Sequence, residues 1–118
     1  MNTIDRSVEL QLADGRKHQL RFTVKSVIEC EKELPNHNLI LTVASLASIP
    51  LAIGEAYTLF KWGLLGAESC EAKDIDDLFL AYVDAIGLVG IQGNVVLALE
   101  KSGVIGKVKN KAALPKEQ

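Results

Sequence analysis

Cysteine and histidine are the residue types in this sequence whose chemistry suits nucleophilic catalysis or metal binding. The 118-residue chain has two of each, Cys30, Cys70, His18 and His37. A thiol nucleophile needs a nearby base and a lowered pKa. Both thiols instead have glutamates beside them, at positions 29, 31 and 33 and at 68 and 71, which raise a thiol pKa. We therefore expect inert thiols, and His18, which falls on the apolar side of a predicted strand, to be a packed residue.

No spacing in the sequence predicts a metal or nucleotide site. The cysteines and histidines form neither a CxxC motif nor a pair three to five residues apart. The aspartates at 74, 76 and 77 lack the EF-hand pattern, and the start of a helix explains them. The glycines at 87, 90 and 93 are not a dinucleotide fingerprint, and Lys101 stands where a phosphate loop needs glycine. We predict no catalytic residue, no metal and no cofactor.

Charge is unevenly distributed along the chain. Lysine and arginine total 13 against 15 acidic residues, a net charge of −2, which disfavours a nucleic-acid binder held by bulk positive charge. Residues 1–100 have a net charge of −6, whereas 101–118 carry five lysines and a net charge of +4. We predict one domain over 1–103 and a lysine-rich tail over 104–118. The low cysteine content and the lack of a leader pattern favour a reducing cytoplasm.

Two stretches, 38–54 and 85–99, have no charged residue at all. A membrane-spanning helix needs about 20 apolar residues, and the first stretch is shorter and contains Pro50, so we favour no membrane insertion. A helix that is apolar all round is usually buried all round. A domain this small buries only about two-thirds of its unfolded surface, so we expect the surplus to meet another chain.

The N-terminal segment predicts a β-hairpin. Residues 7–12 and 17–24 alternate between apolar and polar, and Asp14-Gly15 lies between them. A three-residue turn with a left-handed Gly15 pairs Leu10 with His18 and places all the apolar residues on one face.

Helical spacing dominates the rest of the chain. We predict five short helices: Thr23 to about Leu34, Asn38 to Ser48, Pro50 to Gly66, Asp74 to Gly87 and Gly90 to Ser102. We expect Val24, Val27, Ile28 and Leu34 to face inward, and Ile86 is one of the apolar positions at helical spacing in the fourth helix. The predicted fold is therefore α+β but mainly α, an N-terminal antiparallel hairpin followed by about five short helices.

This order of elements resembles the tail assembly chaperones of long-tailed bacteriophages and gene transfer agents. The resemblance covers roughly residues 8–102 and is a diffuse pattern without a catalytic signature. It rests on Asp14-Gly15-Arg16, Leu20-Arg21-Phe22-Thr23-Val24, Glu31, Glu33-Leu34, Leu59-Phe60-Lys61-Trp62-Gly63-Leu64-Leu65, an acidic helix start and an aliphatic last helix.

The resemblance implies a non-catalytic role in virion assembly. Such proteins bind the apolar-rich tape measure protein in the host cytoplasm and keep it soluble until tail tube subunits polymerise around it. It further implies self-association into a homo-oligomer, contact with the tail tube protein, and absence from the mature virion.

The candidate partner-binding residues lie on the second and third predicted helices. They are Leu39, Leu46, Leu51, Phe60 and Trp62. Phe60 and Trp62 cannot share one narrow helix face, so one of them is expected to point away from the core. The alternative function is a small helical oligomeric adaptor or regulatory protein. A DNA-binding version is disfavoured because no helix groups outward Arg, Lys, Gln and Asn.

Overall fold

The computed structural model describes residues 6–104 of the chain. A two-stranded antiparallel hairpin, β1 (Val8–Gln11) and β2 (Lys17–Leu20), comes first. Four α-helices follow, α1 (Val24–Glu33), α2 (Leu39–Ala44), α3 (Ile53–Gly66) and α4 (Ile75–Ser102), with short 3-10 turns at Ser45–Ala47 and Ala72–Asp74. The mainly helical α+β class is confirmed, with four helices where about five are predicted. The predicted tail lies outside the described residues, apart from Val104.

The hairpin has the predicted register. Leu10 pairs with His18, and Gly15 adopts a φ of +97° in the turn. The Leu12 N–H donates to the Arg16 carbonyl at 2.8 Å, which closes the three-residue turn. The apolar side chains consequently share one face, which is buried. Its buried members are Val8, Leu10, Leu12 and Leu20.

Helix α1 begins as predicted but is oriented differently. Thr23 Oγ1 accepts from the Ser26 N–H at 3.1 Å, and Ser26 Oγ accepts from the Thr23 N–H at 2.9 Å, so the two residues form a capping box. The helix packs through the strip that contains Val27, so Val24 and Ile28 point to solvent with 63% and 50% of their surface exposed. The prediction that these two face inward is wrong.

Helix α3 lies against the hairpin at very short range. The Arg21 N–H donates to the Gly63 carbonyl at 2.9 Å. A Cβ at position 66 would lie 2.1 Å from the Arg21 carbonyl oxygen, so only glycine allows this approach. The helix begins at Ile53 and not in a first turn at Pro50, and Glu55 Oε1 accepts from the Ala52 N–H at 2.9 Å at its start.

Helix α4 combines the last two predicted helices, and its backbone breaks at the predicted boundary. Gly87 has φ +74° and ψ 169°, which is outside the helical region. Ile86, one of the apolar positions at helical spacing, is 39% exposed, and its side chain lies against the Gly90 backbone. Asp74 precedes α4 but makes no capping hydrogen bond, because its backbone is already helical.

The core lies between the hairpin, α3 and α4. The Phe60 ring is 5.8 Å from the Phe79 ring and 5.6 Å from the Tyr82 ring, centre to centre. From 88 to 102, α4 contributes the fully buried aliphatic side chains Ile91, Val95, Ala98 and Leu99.

Two hydrogen bonds connect the start of the described chain to its end. Arg6 Nη1 donates to the Ser102 carbonyl at 2.7 Å, and Lys101 Nζ donates to the Ser7 carbonyl at 2.7 Å.

Candidate functional site

The two thiols lie in surroundings that oppose ionisation. Cys30 is fully buried in α1, and burial, followed by the negative charges of Glu33 and Glu31, raises its pKa to about 12. Cys70 is partly exposed, and burial followed by the charge of Asp74 raises its pKa as well. A thiolate nucleophile at neutral pH is therefore disfavoured at both positions.

His18 is packed, as predicted. Its Nδ1 lies 2.8 Å from the Tyr82 hydroxyl, and the two rings meet edge to face with their centres 5.5 Å apart. Burial of the ring, followed by the positive charge of Arg16, lowers the pKa of His18. The contact joins β2 to α4, which is a structural role.

The acidic residues at the start of α4 have structural roles, in a hydrogen bond and in the first turn of the helix. Asp76 accepts a hydrogen bond from the Tyr57 hydroxyl at 2.5 Å, and this bond raises the pKa of Tyr57 to about 12. Asp76 and Asp77 lie in the first turn, where the helix dipole favours negative charge. Within residues 6–104, no group of three or more His, Cys, Asp or Glu side chains is arranged to hold a metal ion.

The first uncharged stretch, which we name the 38–54 segment, is attached to the body by a few specific contacts. Asn38 Oδ1 accepts from the Leu41 N–H at 2.8 Å and so caps α2. Glu31 Oε2 accepts from the Leu39 N–H at 2.8 Å, which fixes α2 to α1. At the other end, the Leu51 N–H donates to Gln92 Oε1 of α4 at 2.9 Å.

The 38–54 segment presents large aliphatic side chains to solvent. Four are more than half exposed: Ile40 (58%), Leu41 (52%), Ile49 (65%) and Ile53 (60%). A shallow pocket beside Ile49 has two further aliphatic residues in its wall, Leu46 and Leu51. An exposed aliphatic surface of this kind suits an apolar partner, although Glu55 also lies in the wall of the pocket.

Two predicted partner-binding residues lie in the interior instead. Leu39 and Phe60 have 0% of their surface exposed. Leu39 anchors α2 against the body, and Phe60 packs on Phe79 and Tyr82. The prediction that these two contact a partner is corrected, since a fully buried side chain offers no surface to a second molecule.

Trp62 is the half-buried counterpart of Phe60 and lies on a different surface from Leu46 and Leu51. Its Nε1 donates to Glu33 Oε1 at 3.0 Å, and Lys61 Nζ lies 5.3 Å from the ring centre. The ring lines a separate shallow pocket, whose other walls include Thr23, Lys25, Ser26, Glu29 and Leu65. The structure therefore brings Leu46 and Leu51 together but does not join Trp62 to them.

The second uncharged stretch forms an apolar outer face on α4. Ile91 and Val95 point into the core, and on the opposite side Val89 is 82% exposed and Leu97 45% exposed. The stretch Ala72–Ser102 is long and apolar enough to cross a membrane by length and composition alone, a test that core helices of soluble proteins also pass. Between 88 and 99, both sides of α4 carry aliphatic side chains, and those on the outer side are exposed.

The exposed aliphatic residues of both stretches were missed as candidates by the sequence reasoning. The signal was the absence of charge over 38–54 and 85–99, which marks the stretches but not which face of each is outward. A helix without a polar side gives no period from which to assign that face.

No family model matches this chain, and neither characterised proteins nor solved structures show a match. The fold and the two uncovered apolar surfaces are accordingly the basis for a functional proposal.

Proposed function

We propose that the chain is a non-catalytic phage tail assembly chaperone. It binds the tape measure protein in the host cytoplasm and keeps it soluble until tail tube subunits polymerise around it, and it is absent from the mature virion. The observation that carries the proposal is the uncharged 38–54 segment with its four exposed aliphatic side chains. The resemblance of the hairpin-plus-helices pattern to that family supplies the identity of the partner.

The chemistry of the 38–54 segment favours an apolar helical ligand. Burying an aliphatic side chain of this size stabilises a complex by roughly 1.5–3 kcal/mol when burial is complete. Ile49 and Ile53 stand on either side of the Leu51 backbone, which is held against α4. A ligand helix that presents Leu, Ile or Val at helical spacing would bury these side chains, with Glu55 as the one charged residue in the pocket wall.

The test is co-expression with the tape measure protein, scored by the soluble fraction of that protein. Ile49→Asp and Ile53→Asp are expected to abolish solubilisation and to leave the chaperone folded, because both side chains are already in solvent. Leu46→Asp tests the pocket wall. Val24→Asp is the matched control, since Val24 is as exposed as Ile49 but lies on α1. Solubilisation that survives Ile49→Asp, Ile53→Asp and Leu46→Asp would remove this site.

Trp62, the single tryptophan of the chain, gives a separate test of the site, because its ring lines a pocket away from the 38–54 segment. Trp62→Asp is expected to retain solubilisation if the partner uses only the 38–54 segment. Loss of solubilisation in a folded Trp62→Asp variant would extend the site to the groove between α1 and α3.

Gene order tests the proposed role without protein work. A tail tube gene upstream and a very long gene downstream are expected for a tail assembly chaperone. A neighbourhood without tail genes, together with no effect on the solubility of any tape measure protein, would overturn the proposal in favour of an adaptor or regulatory role.

A further inference from the structure

Glu55 is the single charged residue between positions 38 and 60. It lies in the first turn of α3, directly after the 38–54 segment, and its partly buried side chain forms part of the wall of the pocket beside Ile49. None of the ion pairs among residues 6–104 involves it. A carboxylate without a counter-ion therefore lies within the surface to which we assign the partner.

One of the two carboxylate oxygens of Glu55 is already engaged. Oε1 accepts from the Ala52 N–H at 2.9 Å, and this bond fixes the side chain at the start of α3. Oε2 accepts no hydrogen bond from another described residue. A guanidinium group binds a carboxylate best through both oxygens at once, whereas an ammonium group needs only one. The remaining oxygen accordingly favours lysine over arginine as the counter-ion.

The hydroxyl groups in the same pocket wall offer acceptors and no spare proton. Thr42 Oγ1 donates to the Asn38 carbonyl at 2.9 Å, and Ser45 Oγ donates to the Leu41 carbonyl at 2.8 Å. A hydroxyl group has one proton, so both oxygens keep only lone pairs for a ligand. The amide nitrogen of Asn36 is the one side-chain donor left in the wall. An ammonium group, which has three donors and no acceptor, complements such a wall.

The pocket has the size of a side chain and not of a small-molecule ligand. Its volume is about 170 Å³, below the roughly 300–1,000 Å³ of typical small-molecule sites. The methylene stem of a lysine packs well on aliphatic surface while its charged end reaches polar groups. The remaining walls are aliphatic and suit such a stem: Leu46, Ile49, Pro50 and Leu51.

We propose that the 38–54 segment selects a ligand helix that carries a lysine beside its aliphatic residues, and that the lysine ammonium group donates to Glu55 Oε2 in this pocket. The lysine lies three or four positions from the aliphatic residue that covers Ile49, because residues at that spacing share one helix face. The aliphatic contacts supply most of the affinity, and the ion pair supplies the selection of the ligand. The inference rests on the proposed function, since it names the chemistry of the helix that is bound at the same site.

Titration with three synthetic helical peptides tests this selection. Each is a capped, dye-labelled peptide with leucines at helical spacing, and the three differ only in a lysine, glutamine or glutamate at one position beside the leucine face. Fluorescence anisotropy measures the Kd of each peptide for the full chain. We expect the wild type to bind the lysine peptide about tenfold more tightly than the glutamine peptide, and the glutamate peptide more weakly still.

Glu55→Gln removes the charge and keeps an oxygen that can accept from the Ala52 N–H. It is expected to remove the preference for the lysine peptide. Glu100→Gln is the matched control and should retain the preference, since Glu100 is an exposed carboxylate on α4 that forms no ion pair with another described residue. Circular dichroism establishes that both variants remain folded. Equal affinity of the wild type for the three peptides overturns the lysine selection, and so does a preference that Glu55→Gln leaves intact.

Failure of this inference differs from failure of the proposed function. If the three peptides bind equally and Ile49→Asp abolishes their binding, the aliphatic site stands and only the lysine selection fails. If none of the peptides binds, the lysine selection is overturned, and co-expression with the tape measure protein still decides the proposed function by itself. A lysine preference in a chain that does not solubilise the tape measure protein supports the selection and removes the identity of the partner.

A second copy of the chain is the rival source of a lysine, and sedimentation equilibrium of the full chain distinguishes it. We expect Glu55→Gln to leave the mass of the chain in solution unchanged. A mass that falls in Glu55→Gln but not in Glu100→Gln would assign the pocket to a lysine of a second copy and would overturn the proposal.

Discussion

The main-chain N–H of Leu51 donates a hydrogen bond to the side-chain Oε1 of Gln92 at 2.9 Å, across 41 positions of sequence. This bond joins the two uncharged stretches of the chain, since Leu51 belongs to the 38–54 segment and Gln92 to α4. Gln92 is one of the few polar side chains in its stretch, and it lies on the flank of α4 between the core side and the outer face. The bond holds Leu51, which lies between the exposed residues Ile49 and Ile53, against α4, and we expect the position of the 38–54 segment to depend on it.

Replacing Gln92 tests that dependence. Gln92→Leu leaves the partly buried Leu51 N–H without its acceptor, so we expect a loss of about 1 kcal/mol in the free energy of unfolding. Hydrogen exchange at the Leu51 amide is expected to accelerate. Gln92→Glu keeps an acceptor oxygen at the same position and is the control, with slow exchange retained. Equal exchange rates in both variants would show that the bond does not hold the segment.

Burial of the His18 ring, followed by the positive charge of Arg16, makes stability depend on pH. Because the pKa of His18 is lowered in the folded chain from its ordinary value of 6.5, protonation favours the unfolded chain. The contribution of neutral His18 to the free energy of unfolding is therefore fully present above pH 6.5. It decreases as the pH falls through that value, and it levels off below the folded-state pKa. Thermal unfolding between pH 7.5 and about 5.5 measures this.

Two histidine variants serve as test and control for that prediction. His18→Gln is expected to flatten the decrease in Tm between these pH values, whereas His37→Gln, which removes the exposed histidine, is expected to retain it. A decrease that persists in His18→Gln would assign the pH dependence to other groups.

The contact between α3 and the hairpin predicts opposite outcomes for two glycines of one helix. Gly66→Ala places a methyl group 2.1 Å from the Arg21 carbonyl oxygen, so backbone must shift, at a cost of about 1–3 kcal/mol. Gly54→Ala, in the first turn of α3, meets nothing within 4 Å and is expected to stabilise by up to about 1 kcal/mol. Urea unfolding of both variants measures the difference. Equal midpoints would mean that α3 and the hairpin are not in contact at this distance.

The two thiols are expected to react with alkylating reagents at very different rates. Cys70 is partly exposed and should be alkylated slowly in the native chain, because its pKa is raised. Cys30 should react only as the chain unfolds, since it is fully buried and its pKa is about 12. Mass spectrometry after timed exposure to iodoacetamide distinguishes the two sites. Fast alkylation of Cys30 at neutral pH would contradict its burial in α1.

The hairpin could be predicted in detail because its pattern has only one consistent solution. A strand places alternate residues on opposite faces, so only one turn length puts Val8, Leu10 and Leu20 on the same side. Thr23 as the cap of α1 was equally well specified, because a hydroxyl residue precedes a run of helical spacing.

The orientation of the helices could not be predicted, because their sequences lack the polar face that would fix it. Phe60 and Trp62 are two positions apart and must point to different sides of α3. Which of them enters the core depends on Phe79 and Tyr82 of α4, which pack on Phe60. Such a choice is made by long-range packing. The same reason explains why the sequence predicts a surface position for Leu39, whereas Ile40 beside it is the exposed residue.

The hydrogen bonds from Arg6 to Ser102 and from Lys101 to Ser7 give the backbone a nearly circular path. The first and last described residues therefore lie at one corner of the molecule. A pulling force applied between residues 6 and 104 would load those two hydrogen bonds first.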